Sequence, residues 1–174
     1  MIADRPWRCE VCGVVHSDAV AALGADAPAY WYDLPPAERS RRAVLSSDQC
    51  VIDDQHFFVL GRLLLPVINE HEPFELLVWV SLSPQNFRRM AELWTTPGRE
   101  GEPAYFGWFS SRLPGLPETM NLKCDVHTMP VGERPSIELE PTSHPLALAQ
   151  RDGLTRPQLQ SLIARLMHPQ AGAR

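Results

Sequence analysis

Cysteine is scarce in this chain, with four in 174 residues, and lysine is scarcer: Lys123 is the only one, so positive charge is otherwise carried by arginine. Basic residues number 16 against 21 acidic, a formal net charge of -5. That balance argues against a basic patch of the kind that grips nucleic acid or anionic lipid non-specifically, so neither is expected as a partner. No stretch approaches the roughly 18 consecutive apolar residues of a membrane span. The opening "MIADRPWRC" has no apolar core of the kind a secretory signal needs. The expected compartment is the cytoplasm, where stable disulfides are rare. Few cysteines in such a setting are more readily metal ligands or free thiols than cross-links.

The usual catalytic signatures are also missing. The chain contains no G-x-S-x-G elbow, no H-E-x-x-H, no phosphate-binding glycine loop and no G-x-G-x-x-G. Its aromatics do not interleave with basic residues as in an RNA-binding sheet.

What is present suits one domain over residues 1–174, with a knuckle-like segment at 7–16, a body over 17–168 and a frayed tail at 169–174. A chain of this length buries roughly 70% of its unfolded surface and can build a true core. Residues 17–35, rich in Ala, Pro and Asp, read as a loop, and a short helix is expected over about Ala37–Leu45. "CVIDDQHFFVLGRLLLPV" reads as two strands joined by a tight turn at "DD", ended by Pro66. "FELLVWVSLS" is almost continuously apolar, as a strand covered on both faces must be.

"SPQNFRRMAELW" is a helix capped by Ser83, with Phe87, Met90, Ala91 and Trp94 on one face. "AYFGWFSSRL", "MNLKCDVHT" and "PSIELEP" read as strands. In the second, Leu122, Cys124 and Val126 oppose Lys123, Asp125 and His127. "TSHPLALAQRDG" gives a short helix closing near Gly153. "TRPQLQSLIARLMH" opens with the capping-box spacing of Thr155 and Gln158 and carries an apolar stripe of Leu159, Leu162, Ile163, Leu166 and Met167. The pattern predicts an α+β domain: a mainly antiparallel β-sheet with interspersed helices, a C-terminal helix and an N-terminal zinc-knuckle-like loop.

The knuckle is "WRCEVCGVVH". Cys9 and Cys12 stand two residues apart with Gly13 behind them, the spacing at which a tight turn faces both thiolates toward one ion. A redox CxxC would open a helix, and Gly13-Val14-Val15 start one poorly. Zinc accepts thiolate and imidazole in a tetrahedron, so Zn2+ is the expected ion. His16 is a reachable third ligand. Cys50, in the polar turn "SSDQC", is the expected fourth, with His144 or His127 as alternatives. Cys124, alternating with Leu122 and Val126, reads as a core residue. His56, His71 and His168 are expected to be ordinary surface or turn histidines, and Asp48, Asp53 and Asp54 are explained by turn-making.

The pieces "CEVCGVVH", "APAYWYDLPPAERSRRAVLSSDQCVIDDQHFFVLGRLLLPV", "FELLVWVSLSPQNF", "YFGWFSSRLPGLPETMNLKCDVH" and "RPSIELEPTSHPLALAQRDGLT" resemble, in order, a bacterial family known as domain of unknown function 2199. The resemblance runs from about Trp7 to the last helix. Cys9, Cys12, Gly13, His16, Asp48, Cys50 and His144 match its pattern, while Cys124 departs from it. It implies a bacterial, stand-alone, soluble domain and no particular activity.

Two functional classes are compatible with these residues. One is a binding or regulatory module with a structural metal, acting on a protein partner through exposed aromatics such as Tyr30, Trp31 and Tyr32. The other is a metal-dependent enzyme of hydrolase type, in which an open zinc position near His127, His144 or Asp48 would activate water. Four protein ligands would mark the first, three and a water the second.

Overall fold

The computed structural model describes residues 6–16 and 23–168. The expected frayed tail, 169–174, lies outside the described residues.

The centre of the molecule is a long hairpin. Strand β6 (His56–Leu65) pairs antiparallel with β7 (Phe74–Leu82) over its whole length, from Phe57 opposite Leu82 to Leu65 opposite Phe74. The chain then meanders through β8 (Tyr105–Phe109), β9 (Lys123–His127) and β10 (Ser136–Leu139), each antiparallel to the one before. β10 returns to β6 at Arg62 and Leu63, so these strands form a closed five-stranded barrel rather than an open sheet. A meander of odd strand number brings its first and last strands round in the same direction, and the β10–β6 join is accordingly parallel. Gly61 sits beside this join, where an added Cβ would lie 2.5 Å from Ile137 Cδ1. Only glycine lets the two backbones approach that closely.

Alternation along the strands fills the barrel. Val59, Leu63 and Leu65 from β6, Leu76, Val78 and Val80 from β7, and Phe109, Cys124, Val126 and Ile137 from the meander point inward and are buried. The opposite face of the hairpin is covered at one end by a second apolar cluster of Leu34, Cys50, Ile52, Phe58, Leu60 and Trp79. This cover explains the unbroken apolar run in β7: alternate residues face two different cores.

The second layer comes from the segment before the barrel. β3 (Leu23–Gly24) pairs parallel with β7, α1 spans Ala29–Asp33, and a 3-10 turn at Pro36–Glu38 leads into α2 (Arg39–Arg42). β4 (Ala43–Leu45) and β5 (Gln49–Ile52) extend the sheet from the free half of β6. The expected loop over 17–35 thus contains a strand and a helix in its described part. The expected helix at 37–45 stops at Arg42, because Ala43 turns extended and Ala43-Val44-Leu45 pairs with Ile52-Val51-Cys50. The Asp53-Asp54 turn is as expected, both residues adopting the left-handed conformation a tight hairpin requires.

Three helices complete the fold. α3 (Pro84–Glu92) is capped by Ser83, whose hydroxyl accepts from Asn86 N–H, and buries Phe87 and Met90. α4 (Pro145–Asp152) starts at His144, whose Nδ1 accepts from the Leu146 N–H at 3.1 Å, and ends at Gly153. α5 (Arg156–Met167) opens with the expected capping box of Thr155 and Gln158 and buries Leu159, Leu162 and Ile163 in the barrel core. The α+β class expected from the sequence is what the structure has. Among the described residues, no helix is long and apolar enough to cross a membrane.

Candidate metal centre

The knuckle is a small hairpin. β1 (Trp7–Arg8) pairs antiparallel with β2 (Val15–His16), Trp7 opposite His16 and Arg8 opposite Val15. The loop between them is closed by two backbone bonds, Cys9 N–H to Val14 O and Gly13 N–H to Cys9 O, each 2.9 Å. Gly13 turns the chain with φ +71°, and the Arg8 guanidinium donates to its carbonyl at 2.8 Å. The turn wraps the backbone around the first sulfur. Burial raises the Cys9 thiol pKa, but hydrogen bonds from the Cys12 and Val11 backbone outweigh it, and the pKa is lowered overall. A thiolate held by N–H donors is the form a metal binds.

The hairpin lies along α5. Trp7, Arg8, Glu10 and Val11 face Pro157, Ser161, Ala164 and Arg165 across a crevice of about 340 Å³. On α5 the leucine stripe points into the barrel, while Pro157, Ser161 and Ala164 recur on the other side at helical spacing, small enough to let the hairpin approach. His168 follows four residues after Ala164 and caps the helix, its own N–H bonded to the Ala164 carbonyl at 3.1 Å. Its ring therefore projects at the knuckle and lies 5.8 Å, centroid to centroid, from that of His16.

The result is a group of four donors. Ligand atoms of Cys9, Cys12, His16 and His168 all lie within 4.8 Å of one another. Cys12 Sγ and His16 Nε2 are already 3.1 Å apart. A zinc tetrahedron has edges of about 3.3–3.8 Å, given bonds of about 2.0–2.3 Å, so shifts of about 1.5 Å or less would close the group on an ion. His168 Nε2 is buried without a hydrogen-bond partner among the described residues, as a nitrogen reserved for a ligand would be. Cys9 is buried, Cys12 exposed, and the two histidines intermediate, so the site is at the surface with one thiolate shielded.

The structure brings together three of the four residues expected from the sequence. Cys50, the expected fourth, is not in this group; His168, read from the sequence as an ordinary histidine, is. Cys50 is fully buried on β5, opposite Leu45 and Phe58, and burial pushes its thiol to about 11. "SSDQC" looks accessible as a string, but strand pairing turns the cysteine into the second core. Cys124 is likewise interior, its pKa raised to about 12 by burial and by Asp125.

The alternative ligands are also elsewhere. His144 caps α4, and His127 Nε2 lies 3.0 Å from Glu138 Oε2 on the outer barrel wall. Asp48 is paired with Arg134 at 2.7 Å. Of the aromatics in the Pro-rich segment, Trp31 is half-buried with the Arg39 guanidinium 4.1 Å over its ring, and Tyr30 leans on Phe58. The signal for His168 was a histidine at the end of a helix face made of small residues.

The molecule is a five-stranded α+β barrel in which an N-terminal hairpin and the end of the last helix bring two cysteines and two histidines together. The chain belongs to the family described as an uncharacterised protein conserved in bacteria, DUF2199, whose model matches residues 8–154. The match includes Cys9, Cys12 and His16 and ends before α5, the helix that carries His168. No curated protein and no solved structure matches the chain.

Proposed function

We propose that this bacterial domain is a protein-interaction or regulatory module whose N-terminal hairpin is fastened to α5 by a structural Zn2+ held by Cys9, Cys12, His16 and His168. The observation that carries the reading is the convergence of these four donor atoms from the two ends of the chain within 4.8 Å. Two thiolates and two imidazoles suit zinc, which takes mixed sulfur and nitrogen ligands without geometric preference of its own. What favours a structural ion over a hydrolytic one is the donor count. Four protein ligands complete a tetrahedron and leave no position for an activated water.

The module reading follows from the same site. An ion of this kind can contribute on the order of 10 kcal/mol where a small fold depends on it. Here the barrel has its own core, so the ion's task is local: to hold a hairpin of two-residue strands that could not persist alone. Such a hairpin presents Val14 and Val15 outward.

Elemental analysis of protein purified without added metal tests the assignment. Wild type is expected to carry about one zinc per chain, by analogy with other four-ligand sites. Cys9→Ser and His168→Ala are expected to carry little. Equal zinc in wild type and His168→Ala, or negligible zinc in all three, would refute it.

A further inference from the structure

The outer wall of the barrel over β8, β9 and β10 carries a side-chain pattern that folding alone disfavours. Phe106 and Trp108 are 47% and 40% exposed, their rings edge to face at 5.1 Å. The barrel register sets Phe106 opposite Asp125, and Asp125 opposite Glu138. Two carboxylates directly across an antiparallel pair repel one another and lower stability. Lys123, opposite Trp108, is 3.8 Å from Glu140, and His127 is hydrogen-bonded to Glu138. Asp125 has no hydrogen-bond or ion-pair partner among the described residues. The wall thus joins two outward aromatic rings to three carboxylates, of which Glu138 is bonded to His127, Glu140 lies near Lys123 and Asp125 is left unpaired among the described residues.

We propose that this wall docks an extended, arginine-bearing segment of a protein partner. A guanidinium is the group that satisfies both halves of the pattern. It stacks on an aromatic face and forks onto a carboxylate, whereas the acidic row repels nucleic acid and anionic lipid. Phe106 and Trp108 stand two residues apart on one strand. That repeat of about 6.5–7 Å equals the spacing of alternate side chains along an extended segment. An arginine at one position lies over the rings and bridges Asp125 and Glu138, relieving their repulsion when the complex forms. The proposal rests on the reading of the domain as an interaction module and is independent of the metal.

The test is fluorescence anisotropy with a labelled peptide alternating arginine and serine, beside a control with glutamate for arginine. Wild type is expected to bind the arginine peptide saturably, less tightly as salt rises, and not to bind the control. Phe106→Ser/Trp108→Ser and Asp125→Asn/Glu138→Gln are each expected to weaken binding by about tenfold or more. Thermal melts check that each variant is folded. Zinc content should be the same in all these proteins, so failure here is distinct from failure of the metal assignment. No saturable binding by wild type, equal binding of the glutamate peptide, or unchanged affinity in either folded variant would overturn the proposal.

Discussion

Cys50 and His168 show how a residue's role is decided by what surrounds it. Both carry a group that zinc accepts, and both lie far in sequence from the knuckle. Cys50 is enclosed by Leu34, Ile52, Phe58, Leu60 and Trp79, where a thiol behaves as a small hydrophobe. Replacing it with serine puts a hydroxyl among these side chains with no partner, which costs about 1–3 kcal/mol. Cys50→Ser should therefore melt well below wild type in urea or heat while retaining full zinc, and loss of zinc together with unchanged stability would contradict the placement. The knuckle half of the site was legible because Cys9, Cys12 and His16 are local: a tight turn and a two-residue hairpin place them, and the spacing encodes both. The fourth donor of the group, His168, was not, since its position depends on the path of α5 across the barrel.

Elements were readable wherever one local rule acted alone. α3 and α5 announce themselves through Ser83, Thr155 and Gln158 and through their apolar stripes, and β9 through strict alternation. The segment from Leu23 to Leu45 is only partly legible, the helix ending at Arg42 but not the strands on either side, because its short pieces are fixed by tertiary pairing: Val44 forms a strand only because Val51 is there to receive it. Closure of the barrel was equally hidden, since β10 meets β6 through just Ser136–Arg62 and Ile137–Leu63. That short join makes Gly61 its sensitive point. Gly61→Ala would drive a methyl against Ile137 and the Pro135 carbonyl, an overpacking expected to cost about 1–3 kcal/mol. Equilibrium unfolding would reveal it as a lower midpoint with unchanged metal content, and wild-type stability would show that the join is looser than drawn. Thr155→Ala removes the cap of the helix that carries His168 and should cost about 1 kcal/mol by the same measurement.

At the scale of the whole molecule, stability is distributed between a barrel that stands on its own core and peripheral elements that do not: charge pairs and the proposed metal clasp. Asp33, Asp48, Asp53 and Glu102 are all held below the usual carboxylate pKa; for Asp48 the hydrogen bonds of Ser47 and Arg134 outweigh the opposing effect of burial. Groups with lowered native pKa add stability that is fully present above their unfolded pKa of about 4 and is lost as pH falls through the lower native values. Melting temperature should therefore hold on the neutral side and decline below about pH 4, with a shallower decline in Asp48→Asn; an identical profile in that variant would deny the Asp48–Arg134 pair its part. The clasp fails differently. Its hairpin has two paired residues per strand and little buried surface beyond Cys9 and part of Trp7, whereas the barrel is closed by hydrogen bonds all round. Removing zinc from the folded protein with a strong chelator should then leave the barrel intact but free the first residues from α5. Limited proteolysis should cut near the knuckle at Arg8, protected in the zinc-loaded protein, while the core fragment keeps a cooperative melt. A cleavage pattern indifferent to the chelator would mean that packing of Trp7 against the helix, not the ion, holds the hairpin. Loss of the cooperative melt would mean that the barrel depends on the ion after all.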